Sequence, residues 1–144
     1  MKSDLELLNR KIREKGYRMT RQRQVVLEEL AKVDFHPRAD QLFQMVRRRL
    51  PTISFGTVYR NLRTLQELGL LSQVRFGSKS ARFDANVGRH QHFVCERCEK
   101  IVDIDFDLGL DLDVPGLKRQ GYQVNAAKIQ LLGLCPSCRK RARK

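Results

Sequence analysis

Apolar residues recur three and four positions apart through the first half of the chain, a helical period. In parts of the second half they alternate every two, as in strands. The stretch "DLELLNRKIREKGY" carries Leu5, Leu8 and Ile12 on one helical face and ends near Gly16. "TRQRQVVLEELAKV" opens with Thr20 as a helix N-cap and places Val26 and Leu30 together. "ADQLFQMVRRRL" aligns Leu42, Phe43, Val46 and Leu50, and Pro51 stops it. The sharpest pattern is "PTISFGTVYRNLRTLQELGLL". Ser54 is its N-cap, Phe55, Val58, Leu62 and Leu65 form the expected buried stripe, and Gly69 suits the position just past the C-terminus. After it, "LLSQVRF" and "ARFD" flank the Gly/Ser turn "GSKS" and predict a hairpin.

Helices followed by a basic-tipped hairpin describe a winged helix-turn-helix. On this reading the fourth helix presents Ser54, Thr57, Tyr59, Arg60, Asn61 and Arg63 to DNA. Arg and Asn pair bidentately with guanine and adenine edges, and Tyr packs on a thymine methyl or bonds a phosphate. The bland reading of such a helix is a solvated polar face.

In "HQHFVC" the alternation sends His90, His92 and Val94 to one side and Gln91, Phe93 and Cys95 to the other. "IVDIDFD" alternates likewise, with Val102, Ile104 and Phe106 apolar and Asp103, Asp105 and Asp107 opposite. If these two strands pair across the cysteine turn between them, a carboxylate approaches the imidazoles. Asp103 lies closest to that turn.

Composition narrows the class. At 144 residues with 41% hydrophobic content, the chain has enough apolar material for one domain or two small ones. It has no run of about 18 apolar residues and no apolar leader, so a soluble, cytoplasmic protein with no membrane partner is expected. The net charge of +13 is uneven. Residues 1–84 carry 18 Lys and Arg against 9 Asp and Glu, and residues 85–144 carry 11 against 7, five of the 11 in the terminal "RKRARK". Such a bias suits a polyanion such as nucleic acid, and a merely solubilising basic surface is the equal alternative on charge alone.

The four cysteines form two pairs, Cys95-x-x-Cys98 and Cys135-x-x-Cys138, separated by 36 residues. Two such pairs predict a tetrahedral four-thiolate structural Zn(II) site that staples the start and end of a second domain. A thioredoxin-like dithiol is the competing reading of "CPSC", but only six residues, all Arg, Lys or Ala, follow it. The histidines form a separate set. His36 in "FHPRAD" lies in the first half, so a His/Asp site would tie the halves together. Nitrogen and oxygen donors without thiolate suit Fe(II), Mn(II) or Zn(II); a surface HxH without metal is the alternative.

In order along the chain, "GYRMTRQRQVVLEEL", "HPRADQLF", "ISFGTVYRNLRTLQELGLL", "RFD", "HQHFVCERCEKIVDI" and "GLCPSC" resemble the ferric-uptake-regulator family of bacterial repressors, across essentially the whole length. The resemblance implies an α+β (α/β) architecture: a winged-helix DNA-binding domain over residues 1–83, a hinge at 84–88, and a small α/β dimerisation and metal-binding domain over 89–144. It also implies a homodimer on a palindromic double-stranded operator, a structural zinc held by Cys95, Cys98, Cys135 and Cys138, and a regulatory metal at the matching positions His36, Asp84, His90, His92 and Asp103. Peroxide-sensing members are similar in having aspartate at both carboxylate positions. Their resemblance implies Fe(II) or Mn(II) as the regulatory ion, with His36 and His90 as the ligands oxidised by hydrogen peroxide. "NAAKI" departs from the family pattern: many relatives have histidine near Ala126 and Ala127 for a further metal site. The expected function is a metal-dependent, peroxide-responsive repressor, not an enzyme. The alternatives are an iron-, zinc- or manganese-uptake regulator of the same family, a non-haem iron enzyme and a thiol redox protein.

Overall fold

The computed structural model describes residues 2–75, 80–88, 90–105, 115–125 and 129–143. The tip of the expected hairpin turn, the expected strand residues Phe106 and Asp107, the Leu5 side chain, and Ala126 and Ala127 lie outside the described residues. The architecture is α+β, and the chain divides into two compact units, residues 1–87 and 88–144. Among the described residues no helix is long and apolar enough to cross a membrane.

The first unit holds four helices, α1 (Lys2–Glu14), α2 (Arg21–Ala31), α3 (Ala39–Arg49) and α4 (Phe55–Glu67), then a hairpin of β1 (Ser72–Val74) and β2 (Arg82–Asp84). The punctuation expected from sequence is present. Thr20 Oγ1 accepts from the Arg23 N–H at 3.2 Å and Ser54 Oγ from the Thr57 N–H at 3.1 Å, each satisfying a backbone donor at a helix start. At the end of α4, Gly69 takes φ +71°. That left-handed turn lets the Gly69 and Leu70 N–H groups reach back to the Gln66 and Leu65 carbonyls. β1 and β2 pair antiparallel, with Ser72 opposite Asp84. The core gathers Val26 and Leu30 of α2, Leu42 and Val46 of α3, and Val58, Leu62 and Leu65 of α4, closed by Phe83 of β2.

Two α4 residues depart from expectation. Phe55, assigned to the buried stripe, is 45% exposed; its ring lies edge-on to Phe43 at 5.7 Å and near Tyr59 at 6.3 Å. Asn61, assigned to the DNA-facing side, is only 7% exposed. The helical period explains both. The buried positions 58, 61, 62 and 65 follow the i, i+3, i+4, i+7 rule, so Asn61 falls inside that stripe and Phe55 falls at its edge.

Among its described residues, the second unit holds a three-stranded sheet in the order β4-β3-β5 and two short helices. β3 (Gln91–Cys95) and β4 (Ile101–Ile104) pair antiparallel across the turn between the first two cysteines. β5 (Gln130–Gly133) adds parallel to β3, an element the sequence pattern does not reveal, as are α5 (Pro115–Arg119) and α6 (Pro136–Ala142). The alternation expected in β4 is imperfect: Ile101 and Ile104 are buried while Val102 is 41% exposed.

Candidate metal centres

In the second unit the sheet register builds the thiol cluster. Parallel pairing sets Cys95 opposite Gly133, so the chain leaving β5 reaches Cys135 beside the end of β3. The Glu96 N–H donates to the Gly133 carbonyl at 2.8 Å and clamps that junction. Cys135 is the N-cap of α6, and Cys138 lies one helical turn further on. On the other side, Glu99 at φ +63° closes the Cys95–Lys100 turn that carries Cys98. The four Sγ atoms all lie within 4.8 Å of one another. Cys98 and Cys135 are 3.7 Å apart, too far for a disulfide. Corners of a tetrahedron with metal–sulfur bonds of about 2.3 Å are separated by about 3.8 Å, so the spacing fits a divalent zinc-type ion.

The electrostatics agree. N–H groups of Cys135 and Cys98 point at the Cys95 sulfur and hold its thiol down to about 6. The Cys138 N–H lowers Cys135 in the same way. Burial, and then its sulfur neighbours, pushes Cys138 up to about 12. Cys95 and Cys135 are thus both drawn toward the thiolate while Cys138 resists ionisation beside them. A dication relieves that conflict, as metal ligation requires the thiolate. Phe93, on the Cys95 side of β3 as its parity predicts, packs against this cluster.

The opposite parity of β3 carries the imidazoles. His92 is directly across from Asp103 in the β3–β4 register, the pairing anticipated from the turn. The Asp103 Oδ1 lies 3.4 Å from His92 Nε2 and 3.6 Å from His90 Nε2. The two Nε2 atoms are 3.0 Å apart. His90 Nδ1–H donates to the Gly88 carbonyl at 2.8 Å, which in the neutral ring leaves Nε2 as the lone-pair atom. Two imidazole nitrogens at this separation match adjacent positions around an ion with bonds of about 2.1 Å.

A second imidazole–carboxylate pair lies in the first unit. The Phe83 N–H donates to the Pro37 carbonyl at 3.0 Å, and Arg82 Nη1 donates to the His36 carbonyl at 3.3 Å. These bonds dock the His36–Pro37 segment against β2, so that His36 Nε2 comes 3.2 Å from Asp84 Oδ2, both side chains buried. The Asp84 Oδ1 accepts from the Asn86 N–H at 2.8 Å, which orients the carboxylate. Arg82 and Phe83 therefore position the His36–Asp84 pair without contributing an imidazole or carboxylate of their own.

The polar side of α4 is open. Arg60 and Arg63 are exposed, Tyr59 is 43% exposed, and Thr57 is half-buried. Ser54 is also exposed, but its hydroxyl is engaged with Thr57 in the cap.

A winged-helix order of elements, followed by a small sheet that carries a four-thiol cluster, defines a class, and comparison with known proteins gives its family. The chain belongs to the ferric uptake regulator family, whose model matches residues 14–132. It is 33% identical to the peroxide-responsive repressor PerR of Staphylococcus aureus over 127 residues, covering 88% of this chain and 86% of that protein. The crystal structure of the Campylobacter jejuni peroxide stress regulator is 33% identical, with a TM-score of 0.69 over 81% of this chain and 88% of that one. The Helicobacter pylori ferric uptake regulator Fur shares the fold at 21% identity, with a TM-score of 0.75 over 96% and 93% of the two chains.

Proposed function

We propose that the chain is a metal-dependent, DNA-binding transcriptional repressor that senses hydrogen peroxide through one Fe(II) or Mn(II) ion held by His36, Asp84, His90, His92 and Asp103. The reading rests above all on the convergence of the His90 and His92 Nε2 atoms on the Asp103 carboxylate, a donor set without thiolate. The buried His36–Asp84 pair supplies the remaining donors. Nitrogen and oxygen ligands of this kind suit Fe(II) and Mn(II), whereas Cys95, Cys98, Cys135 and Cys138 suit a structural Zn(II). Aspartate at both carboxylate positions and 33% identity to a peroxide-responsive repressor support the peroxide subtype.

An Fe(II) ion held by these residues would supply the redox chemistry that activates hydrogen peroxide, which Mn(II) would not. Peroxide would be the two-electron oxidant: one of its oxygens would add to a ring carbon of His36 or His90 and the other would leave as water. An oxidised ring is a poorer ligand, so the His36–Asp84 pair and the His90–His92–Asp103 group no longer share an ion. An ion favours whichever arrangement lets both groups reach it, by its higher affinity for that state. In a homodimer that arrangement sets the two α4 helices on successive major grooves of a palindromic operator. Arg60 and Arg63 read guanine edges, Tyr59 packs on a thymine methyl, and Ser54 and Thr57 approach the phosphates. The exposed Val102, Leu131 and Leu132 of the sheet offer an apolar surface to a second copy. A cytoplasmic location follows from this role.

The test compares operator binding and intact mass of the Fe(II)- and Mn(II)-loaded protein before and after peroxide. The iron form is expected to release DNA and gain oxygen on His36 or His90, and the manganese form to do neither. Equal response of both forms overturns peroxide sensing. The second reading is an iron-, zinc- or manganese-uptake regulator of the same family. That regulator would respond to metal supply and ignore peroxide in both forms.

A further inference from the structure

The basic C-terminus has no task in the function proposed above. Of the 11 Lys and Arg in residues 85–144, five fall within residues 139–144. The remaining six meet seven Asp and Glu, so the second unit is cationic only through this segment. Arg139, Lys140, Arg141 and Arg143 are all exposed, and among the described residues none of them has an acidic partner within salt-bridge distance. Arg139 and Lys140 of α6 and its C-cap Arg143 border, with Leu134 and Pro136, an open cavity of about 270 Å³. Cations in the last turn of a helix do favour its macrodipole, but one or two suffice for that effect. Self-repulsion among five is unfavourable unless an anion offsets it.

The segment is also held in place. Cys135 caps α6 and Cys138 sits within it, while Arg97 Nη1 donates to the Cys138 carbonyl at 3.4 Å. The thiol cluster therefore fixes the direction in which the charges leave the sheet. A row of fixed, unpaired cations matches a row of regularly spaced phosphates better than a compact ligand.

We infer that α6 and the residues after it form a phosphate-binding element that touches the DNA backbone independently of base sequence. The choice of DNA as the polyanion rests on the reading of the chain as a DNA-binding regulator. Because phosphate pairing carries no sequence information, the element adds affinity to operator and non-operator DNA alike and steepens the dependence on salt.

The experiment uses the full-length, zinc-loaded protein and a duplex lacking any operator, titrated over a series of salt concentrations. In the test variant Arg139, Lys140, Arg141, Arg143 and Lys144 are all replaced by Gln. Removing one cation–phosphate pair flattens the plot of log affinity against log salt by about 0.9, so a reduction of about 3 to 4 is expected, with affinity at low salt down about tenfold or more. A second variant, with Arg139→Lys, Arg141→Lys and Arg143→Lys, keeps the charge and is expected to keep the slope. Unchanged zinc stoichiometry in both shows that the thiol cluster has formed. An unchanged slope in the Gln variant overturns the inference. So does an unchanged DNA slope accompanied by weakened binding to vesicles carrying anionic lipid, which would assign the segment to a membrane surface. A variant with Arg60→Ala and Arg63→Ala is measured in parallel. If it keeps full operator preference, the reading of α4 fails while the slope result for the tail still stands.

Discussion

The first unit buries eleven hydrophobic side chains in one cluster, running from Val25 in α2 to Phe83 in β2. Among the described residues the second buries Val94, Ile101 and Ile104 of its sheet, gathers Cys95, Cys135 and Cys138 against Phe93, and leaves Val102, Tyr122, Leu131 and Leu132 exposed. The first unit rests on apolar packing, which needs no ligand. In the second, buried thiols stand beside a smaller set of described apolar side chains. Units of about 60 residues are marginal on hydrophobic burial alone, and a metal cross-link is one standard remedy. The contrast extends to polar chemistry: the first unit presents the open face of α4 and buries the His36–Asp84 pair, and the second carries the thiols and the His90–His92–Asp103 group.

The largest effect should follow removal of the cross-link. Chelation, or Cys135→Ser, is expected to abolish cooperative folding of residues 88–144 while the first unit stays intact. Hydrogen exchange checks this, with amides of β3 and β5 losing protection and those of α2 to α4 keeping it. Full protection of both units would erase the contrast. Next in size, Leu62→Ala empties part of the first core and should lower the stability of that unit by about 3 kcal/mol, with the zinc content unchanged. Denaturant titration followed by metal analysis reads both quantities.

The smallest effect is electrostatic. The Gln24 amide and the Arg49 guanidinium, 2.7 Å from Glu28, hold the Glu28 carboxyl below its ordinary 4.5. A depressed carboxyl stabilises the fold above its unfolded pKa, and that contribution is lost as pH falls through the folded value. Arg49→Gln should therefore flatten the decline in melting temperature below about pH 4.5, by a few degrees at most, because half-exposed ion pairs are weak. Circular dichroism melts from pH 7 down to pH 3 measure it.

Much of the first unit is legible in the sequence because its signals are local. Thr20, Ser54 and Gly69 mark helix ends through hydrogen bonds that span only a few residues, and the spacing of Leu42, Val46, Leu62 and Leu65 records which side is buried. The strand parity that separates His92 from Cys95 is equally local, and the register of His92 with Asp103 follows once the intervening turn is recognised. Pattern and structure part where two rules compete. Phe55 is apolar, which suggests burial, but its helical phase puts it at the margin; Asn61 is polar, which suggests solvent, but its phase puts it inside. The parallel strand β5 is not legible, because its pairing with β3 joins residues nearly forty apart and leaves no periodic trace. The docking of His36 through the Phe83–Pro37 backbone bond is hidden for the same reason.

That parallel pairing bears on the order of events during synthesis. Among the described residues the last buried member of the first core is Phe83, with Ala85 packed against it two residues later. The second unit waits for β5 and then for Cys138, because β3 has no parallel neighbour, and Cys95 no partner thiols across the staple, until that point. At about 5 to 20 residues per second the 55 residues from Asp84 to Cys138 take roughly 3 to 11 s. During that interval a nascent chain can already hold a finished helical unit, while the thiols Cys95 and Cys98 remain open to whatever metal or oxidant the compartment contains. A metal held by all four thiols would therefore be captured late, once Cys138 has arrived.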